Sequence, residues 1–310
     1  MIIQHNIAAI NSYRNLGINQ SGLNKNLEKL SSGYRINRAG DDAAGLAISE
    51  SMRSQINGLN QATKNAQDAV GLIQTVEGAL TETHSMLQRL TTLASQSANG
   101  TYNTVARGNL QLEVDQLLQE IDRIANYTDF NGIKPIQADV AGTKMTFQIG
   151  PSAKETIVVN KQAMTASALG LRAGNLTSNA ISTKYEYDKT GADDQKVNIK
   201  WAVSTSGNTA KVNVSTQTGG NKAIDRINDA INLVSQYRAG LGAAQNRLEH
   251  AMNNLKVTSE NITAAESRIR DTDMADEITA FTKNNILLQA SQSMLAQSNS
   301  VPQSILSLIG

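Results

Sequence analysis

The chain has 310 residues, and its 28 Lys and Arg residues nearly balance its 27 Asp and Glu residues, which gives a formal net charge of +1. This balance argues against a protein that binds nucleic acid mainly through phosphate contacts. The absence of cysteine excludes disulfides and thiolate chemistry. There is no run of about 18 apolar residues, so we expect no membrane-spanning segment. The first residues, MIIQHNIAAINSYRN, lack the pattern of a cleaved secretory signal.

The first predicted helix covers the N-terminal 30 residues. Leu16, Leu23 and Leu30 lie seven residues apart, which is the spacing of a helix that packs along one face. The segment Ser31–Gly45 then interrupts the pattern. Its Gly and Ser residues end one helix, and either aspartate of Asp41–Asp42 can cap the next.

The longest predicted helix spans roughly residues 44–98. Its apolar positions step by three and four residues, which is the period of a coiled-coil or helical-bundle seam. At ~1.5 Å per residue, such a helix would be about 80 Å long. The seam positions, of which Thr83 alone is polar, are Leu59, Ala62, Ala66, Ala69, Ile73, Val76, Leu80, Thr83, Leu87, Leu90 and Ala94.

A shorter helix and a hairpin follow. After a turn at Ser97–Thr104, a second helical stripe begins. The segments MTFQIG, Met145–Gly150, and TIVVN, Thr156–Asn160, flank the loop PSAKE and predict a β-hairpin. The stripe of the shorter helix consists of Leu110, Val114, Leu117, Ile121 and Ile124.

A period-two pattern of apolar residues marks the region after the hairpin. It runs through Val197, Ile199, Trp201 and Val203, and Val212 and Val214 continue it, which predicts half-buried strands. Residues 176–220 are also rich in Ser, Thr, Asn, Asp and Lys. We therefore expect a small β-rich insert there.

The helical period returns in the last third of the chain. A helix over residues 221–269 is predicted by an apolar residue at every seventh position: Ile227, Val234, Leu241, Leu248, Leu255, Ile262 and Ile269. After it, Asp271 or Asp273 can cap a final helix. That helix carries Met274, Ile278, Phe281, Leu288 and Leu295 on one stripe.

These elements predict a mainly α protein: a long antiparallel helical bundle or coiled-coil hairpin with a β-hairpin region and a small β-rich insert. We expect an N-terminal helical segment, 1–41, to pair with a C-terminal one, 271–310. A helical domain with the hairpin covers 42–175, the insert covers 176–220, and the returning helix covers 221–270.

The two terminal segments carry more apolar residues than one helix pair can cover. Ile18 and Ile286, for example, lie off the seven-residue rows. Because a fully buried aliphatic side chain contributes roughly 1.5–3 kcal/mol, we expect another molecule to cover these residues. Head-to-tail contacts between identical subunits produce rings or helical filaments. The predicted polymer-interface residues are Ile7, Ile10, Leu16, Leu23, Leu27, Leu30, Ile278, Phe281, Leu288, Leu295, Ile305 and Leu308.

Several long segments in a fixed order resemble the bacterial flagellin family. One resembles the N-terminal signature of the family, two resemble its hairpin region and three its C-terminal signatures. In chain order they are LSSGYRINRAGDDAAGLAISE (Leu30–Glu50), TDFNGIKPI (Thr128–Ile136), MTFQIGPSAKETI (Met145–Ile157), GAAQNRLEHAMNNL (Gly242–Leu255), SRIRDTDMADE (Ser267–Glu277) and LAQSNSVPQSILSLIG (Leu295–Gly310).

The resemblance implies a structural subunit of the extracellular flagellar filament. The terminal segments would form its inner tube and the long helices its outer tube. Subunits of this family leave the cell unfolded through the flagellar type III apparatus, without a cleaved signal. The implied partners are other copies of the chain, a flagellar secretion chaperone on the C-terminal helix, and the filament cap and junction proteins. No cofactor is implied.

The resemblance also implies recognition by the flagellin-sensing Toll-like receptor of hosts. The matching positions here are Gln88, Arg89, Leu93 and Glu113. Strongly stimulatory members carry Arg-Glu where this chain has Thr91–Thr92, so we expect weak activation.

Other functions fit the sequence less well. The nearest alternative is a hook–filament junction protein, a hook-associated protein that shares the terminal pattern. A secreted peptidase would need an HExxH motif, which is absent, and His5, His84 and His250 lack the spacing of metal ligands. We therefore expect no enzyme, no metal site, and no nucleic-acid or membrane partner. A coiled-coil adhesin or type III translocator would not need both termini to match a filament family.

Overall fold

A computed structural model of the chain describes residues 6–137, 143–172 and 211–309, with side chains up to Val301. It is 74% helical, which confirms the prediction of a mainly α protein. The described elements are α1 (Ile7–Ser32), α2 (Ala43–Ala98), α3 (Thr104–Tyr127), β1 (Lys144–Gln148), β2 (Thr156–Asn160), α4 (Gln217–Arg270) and α5 (Met274–Ile309).

The chain divides into two compact units. Unit 1 comprises residues 1–61 and 255–310, and unit 2 comprises residues 62–254. Because α2 and α4 each cross a boundary, both helices contribute one part to each unit. The pair formed by α1 and α5 belongs to unit 1, whereas α3 and the hairpin belong to unit 2.

Unit 2 has an apolar core built from the predicted stripes. On α2, every predicted seam position is buried, and those from Ala62 to Ala94 lie in unit 2. On α4 the residues from Ile227 to Leu248 at seven-residue steps are completely covered or nearly so. On α3 the buried row shifts by one residue: Leu118 and Ala125 are buried where Leu117 and Ile124 were expected. The shift follows from the period of an α-helix, 3.6 residues, which drifts from strict heptads.

The predicted hairpin is present in unit 2. Strands β1 and β2 are antiparallel, with Met145 opposite Val159 and Phe147 opposite Ile157. Met145, Ile157 and Val159 are buried. β1 ends at Gln148, two residues earlier than predicted, where the Gln148 side chain donates to the carbonyl oxygens of the hairpin loop.

The predicted strand at Val212 and Val214 is wrong, although both side chains are buried. The Val212 N–H donates to the Leu171 carbonyl at 3.0 Å, and the Val214 N–H donates to the Gln111 Oε1 atom at 2.7 Å. The backbone is therefore satisfied by a loop carbonyl and a side-chain amide instead of a neighbouring strand. The alternating residues Val197–Val203 lie outside the described residues.

Helix α4 begins earlier than predicted. It starts at Gln217, so residues 217–220, which the sequence assigned to the polar insert, are helical. A Cβ on Gly220 would lie 3.1 Å from the Ala94 carbonyl oxygen and 2.9 Å from the Ala98 nitrogen. This glycine therefore permits a close backbone contact with the end of α2 that a larger residue would prevent.

Candidate subunit interface

Helices α1 and α5 pair in an antiparallel orientation within unit 1. The Asn6 side chain donates to the Ser298 carbonyl at 2.7 Å, and the Asn19 Nδ2 atom donates to the Ser291 Oγ atom at 2.8 Å. At the other end of the pair, the Lys29 Nζ atom lies 3.8 Å from a carboxylate oxygen of Glu277. These contacts use the residues that face each other along the seam.

The seam between the two helices is half apolar and half polar. Each helix contributes two rows of residues spaced by seven, one of each kind, and these residues are partly or fully covered. Polar residues at seam positions lower stability and specify register. The apolar rows are Leu16, Leu23 and Leu30 with Phe281, Leu288 and Leu295, and the polar rows are Ser12, Asn19 and Asn26 with Glu277, Asn284, Ser291 and Ser298.

Burial in this pair is shallow. Among the residues of α1, all of which the structure describes, Asn26 alone is buried, with 9% of its surface exposed. Its Nδ2 atom has no hydrogen-bond partner in the described part of the chain. None of the described α5 side chains, Met274 to Val301, is buried. The pair therefore lacks an apolar core of its own.

Several large apolar residues of the pair are exposed on its outward faces. Ile7, at 64% exposure, shares with Ile10 and Ile18 the side of α1 that faces away from the seam, as 3.6 residues per turn require. On α5, Ile286 is 61% exposed and Met294 63%. Both helices thus expose large apolar residues away from the face that pairs, and the residues Ile7, Ile10, Ile18, Ile286 and Met294 are called the outward apolar stripes.

Charge is absent from most of the outward surface of α5. After Lys283 the sequence contains no Asp, Glu, Lys or Arg up to Gly310. In the first 24 residues the only such side chain is Arg14, which donates to the Asn11 side chain at 2.6 Å. Covering this surface with another protein would therefore remove few charged side chains from water. The free-energy cost of desolvating charges is thus small.

The predicted polymer-interface residues fall into two groups. One group, Ile7, Ile10, Leu27 and Ile278, is exposed. The second group comprises the seam residues of the apolar rows, which α1 and α5 partly cover by their own pairing. Ile305 and Leu308 belong to α5, but their side chains lie outside the described residues. The list of predicted interface residues leaves out Ile18, Ile286, Leu287 and Met294, all of which are exposed. The sequence had already marked Ile18 and Ile286 as apolar residues off the seven-residue rows.

The residues predicted to contact the receptor lie in unit 2, on α2 and α3. Arg89 and Glu113 form an ion pair with an N–O distance of 2.7 Å, and the Gln88 amide lies 3.1 Å from the His84 ring nitrogen Nε2. Gln88 and Arg89 are exposed, and Glu113 is half-buried. Leu93 is completely buried in the core, so in the isolated chain it offers no surface to a partner.

Two other kinds of site were tested by the geometry. Within the described ranges, no three His, Asp or Glu side chains lie close enough to hold a metal ion. None of the described helices is both long enough and apolar enough to cross a membrane.

Comparison with known proteins places the chain in a family. Residues 3–139 match the bacterial flagellin N-terminal helical region, and residues 224–309 match the bacterial flagellin C-terminal helical region. The flagellin of Bacillus subtilis (strain 168) is 50% identical over 319 residues, with 100% of both chains covered. The flagellar filament 30.7 kDa core protein of Treponema maltophilum is 44% identical over 315 residues, again with 100% of both covered. The crystal structure of Bacillus cereus flagellin, 26% identical, covers 66% of this chain and 94% of its own, with a TM-score of 0.45. This chain belongs to the bacterial flagellin family.

Proposed function

We propose that the chain is a structural subunit of the extracellular flagellar filament and that the α1/α5 pair is its polymer interface. The observation that carries this proposal is the apolar stripe on the outward face of each helix. Membership of the flagellin family supports the role of filament subunit, and the exposed stripes support the location of the contact. We propose no enzymatic activity.

The free energy available from covering the stripes is large enough to drive assembly. Each aliphatic side chain that becomes fully buried contributes roughly 1.5–3 kcal/mol, so Ile7, Ile10, Ile18, Ile286 and Met294 together could contribute on the order of 10 kcal/mol. Association also has an entropic cost of several kcal/mol or more. Because each subunit would contact neighbours along the polymer, these contacts would repeat with every subunit added.

A truncation tests the proposal. We expect purified full-length chain to form long tubes after addition of ammonium sulfate, as seen by negative-stain electron microscopy. Deleting residues 271–310 removes α5 but no residue of unit 2, so we expect a folded, soluble monomer that forms no tubes. Tubes from the truncated chain would show that α5 is dispensable. Absence of tubes from the full chain, with ordered termini, would favour a hook–filament junction protein instead.

We further propose that a flagellar secretion chaperone binds α5 before export through the flagellar type III apparatus. The support is the exposed apolar surface of α5, which would otherwise promote premature self-association. Binding of the chaperone to the full chain but not to the 271–310 truncation, measured by calorimetry, would test this. The filament cap and junction proteins are proposed to contact the same terminal helices.

The proposed receptor surface on unit 2 is smaller than first expected. Gln88, Arg89 and Glu113 can contact a receptor, whereas Leu93 would act by supporting them from the core. We expect Arg89→Ala to reduce signalling in a cell assay for the Toll-like receptor and to leave polymerisation unchanged. Equal signalling by the variant and the parent chain would show that Arg89 is not part of the receptor-binding surface.

A further inference from the structure

Two chain segments cross between the helices of unit 1, and the structure holds them side by side. Residues 33–42 join α1 to α2, and residues 271–273 join α4 to α5. Tyr34 and Asp271 form an isolated antiparallel bridge. Beside it, the Arg35 N–H donates to the Arg270 carbonyl at 2.7 Å, and the Thr272 N–H donates to the Gly33 carbonyl at 3.1 Å.

The Tyr34 ring lies at the centre of this junction, next to two guanidinium groups. The Arg270 group lies 4.7 Å from the ring centroid, and the Arg53 group lies 5.8 Å from it. Cations at such distances are attracted to the face of an aromatic ring. Each arginine also has a carboxylate partner: Arg270 pairs with Glu50 at 2.7 Å, and Arg53 pairs with Glu266 at 2.9 Å.

The arginine that contacts the ring most closely is also well covered. The Arg270 side chain is 13% exposed, and its Nε atom is buried without a hydrogen-bond partner among the described residues. The position of this guanidinium is therefore set by the ion pair with Glu50 and by the Tyr34 ring. Removing the Tyr34 ring would leave the covered Arg270 guanidinium with the Glu50 carboxylate but without its aromatic partner.

The first crossing is itself well ordered by local contacts. The Asp41 carboxylate accepts hydrogen bonds from the backbone N–H groups of Arg38 and Asn37, which lowers the pKa of Asp41. Ile36 is buried, and a Cβ on Gly45 would lie 2.9 Å from its Cδ1 atom, so Ile36 packs directly against the first turn of α2. The crossing is thus fixed to α2 on one side and to residues 270–272 on the other.

We propose that Tyr34 is a positioning residue for assembly, one that fixes the direction in which α1 and α5 leave the α2 and α4 segments of unit 1. In this role it touches no neighbouring subunit. It acts through Arg270 and the backbone bridge by holding the outward apolar stripes in the orientation that a second copy requires. The inference rests on the proposed function, because it assumes that those stripes are the polymer contact.

Two substitutions at the same position test the proposal. Tyr34→Phe keeps the ring, and Tyr34→Leu keeps the apolar bulk but removes the ring. We expect Tyr34→Leu to raise the hydrogen-exchange rates of the Arg35 and Thr272 amides about 5-fold, and Tyr34→Phe to stay within about 2-fold of the parent chain. Exchange is measured on the full-length chain in its soluble and polymerised states.

Polymerisation provides the second readout. We expect Tyr34→Leu to raise the critical concentration for tube formation by about 5-fold, and Tyr34→Phe to restore the parent value. Thermal unfolding of unit 2 is the folding control, since Tyr34 lies outside that unit. If Tyr34→Leu fails to fold, Arg270→Lys replaces it, because lysine keeps the charge beside Glu50 but loses the planar stack.

The possible outcomes separate the two proposals. Equal amide exchange rates in the parent, Tyr34→Phe and Tyr34→Leu chains would show that the Tyr34 ring does not hold the two crossing segments together. Faster exchange in Tyr34→Leu with unchanged polymerisation would overturn the positioning role. If the parent chain itself forms no polymer, the proposed function fails, and the exchange comparison still decides whether Tyr34 holds the two crossings together.

Discussion

Unit 2 and the α1/α5 pair are built on the same seven-residue spacing but bury their residues in opposite ways. In unit 2 the rows point inward, and Ile73, Leu80 and Leu90 are completely covered. In the pair, one of the two inward rows on each helix is polar, and its residues are mostly asparagine and serine. Ile7 and Ile286 point outward. The heptad period therefore shows that a helix packs along a face, but the residues off that face show whether the packing is complete.

This difference assigns separate tasks to the two regions. A closed apolar core provides folding stability to a single chain, because its side chains leave water when the chain folds. If a second copy covers the outer faces as proposed, a pair with a polar seam gains most of its burial from neighbours. We infer that unit 2 folds before assembly and that the pair becomes stable during it.

The largest effects should come from matched truncations of one apolar residue in each region. We expect Leu90→Ala to lower the free energy of unfolding of unit 2 by about 2–5 kcal/mol, because it creates a cavity in a closed core. Ile286→Ala should change the stability of the free chain by less than about 0.5 kcal/mol, since the side chain is exposed there. Urea unfolding followed by circular dichroism measures both. A large loss from Ile286→Ala would mean that α5 is buried within the chain.

Replacing the insert should show where the core of unit 2 ends and the insert begins. Because the Val212 N–H is bonded to the Leu171 carbonyl, the described residues that flank the segment 173–210 lie close enough to be joined by a short linker. We expect a chain with this segment replaced to keep its stability within about 1 kcal/mol and to form filaments. Extending the replacement to residue 220 removes Val212 and Val214 and should cost roughly 3 kcal/mol or more.

Comparing the stabilities of these two variants locates the boundary between the insert and the core of unit 2. Equal stability of the short and the long replacement would show that residues 211–220 are not part of the core. Loss of filaments with the short replacement would show that the insert has a structural role.

A substitution in the polar seam of the α1/α5 pair should raise stability, whereas a truncation in the core of unit 2 lowers it. Asn26→Leu replaces a buried amide whose Nδ2 atom lacks a partner among the described residues, so we expect it to stabilise the α1/α5 pair by about 1–2 kcal/mol. Slower proteolysis of the pair in the free chain would report this gain. The control is Asn24→Leu, two residues away on the exposed side of α1, which should leave the rate unchanged. Faster proteolysis of Asn26→Leu would mean that the asparagine stabilises the seam.

A smaller effect is expected at alkaline pH. Burial raises the pKa of Tyr237 to about 12, and its hydroxyl donates to the Asn160 carbonyl at 3.4 Å. A raised pKa means that the folded state favours the neutral phenol, so this contribution is complete below about pH 10 and is lost as the pH rises towards 12. We expect Tyr237→Phe to reduce the alkaline loss of stability of unit 2. Identical pH profiles would show that this phenol does not contribute.

The sequence predicts the long elements well because their signals are periodic and local. The buried row of α2 matches its three-and-four spacing, and Gly33, with a φ of 74°, ends α1 where expected. The Asp42 carboxylate accepts the Gly45 N–H at 2.9 Å, as the predicted cap requires. Such features depend only on residues a few positions apart.

The features that were missed depend on contacts between distant residues. The alternation at Val212 and Val214 correctly indicated two buried valines, but their hydrogen-bond partners are Leu171 and Gln111 instead of a strand. The start of α4 was placed too late because the polar composition of residues 176–220 assigned its first turn to the insert, whereas Gly220 packs against the backbone of Ala94 and Ala98. No local pattern contains these partners.

One measurement tests most directly whether a second copy covers the outward face of α5. The chain has no native cysteine, so a single cysteine at position 286 (Ile286→Cys) can be labelled with a maleimide in the monomer and in the polymer. Thr218→Cys, exposed at the start of α4 where we place no subunit contact, is the control. We predict rapid labelling at 286 in the monomer and labelling at least about 100-fold slower in the polymer, with position 218 reactive in both. Equal labelling of position 286 in the two states would contradict the assignment of α5 to the subunit interface.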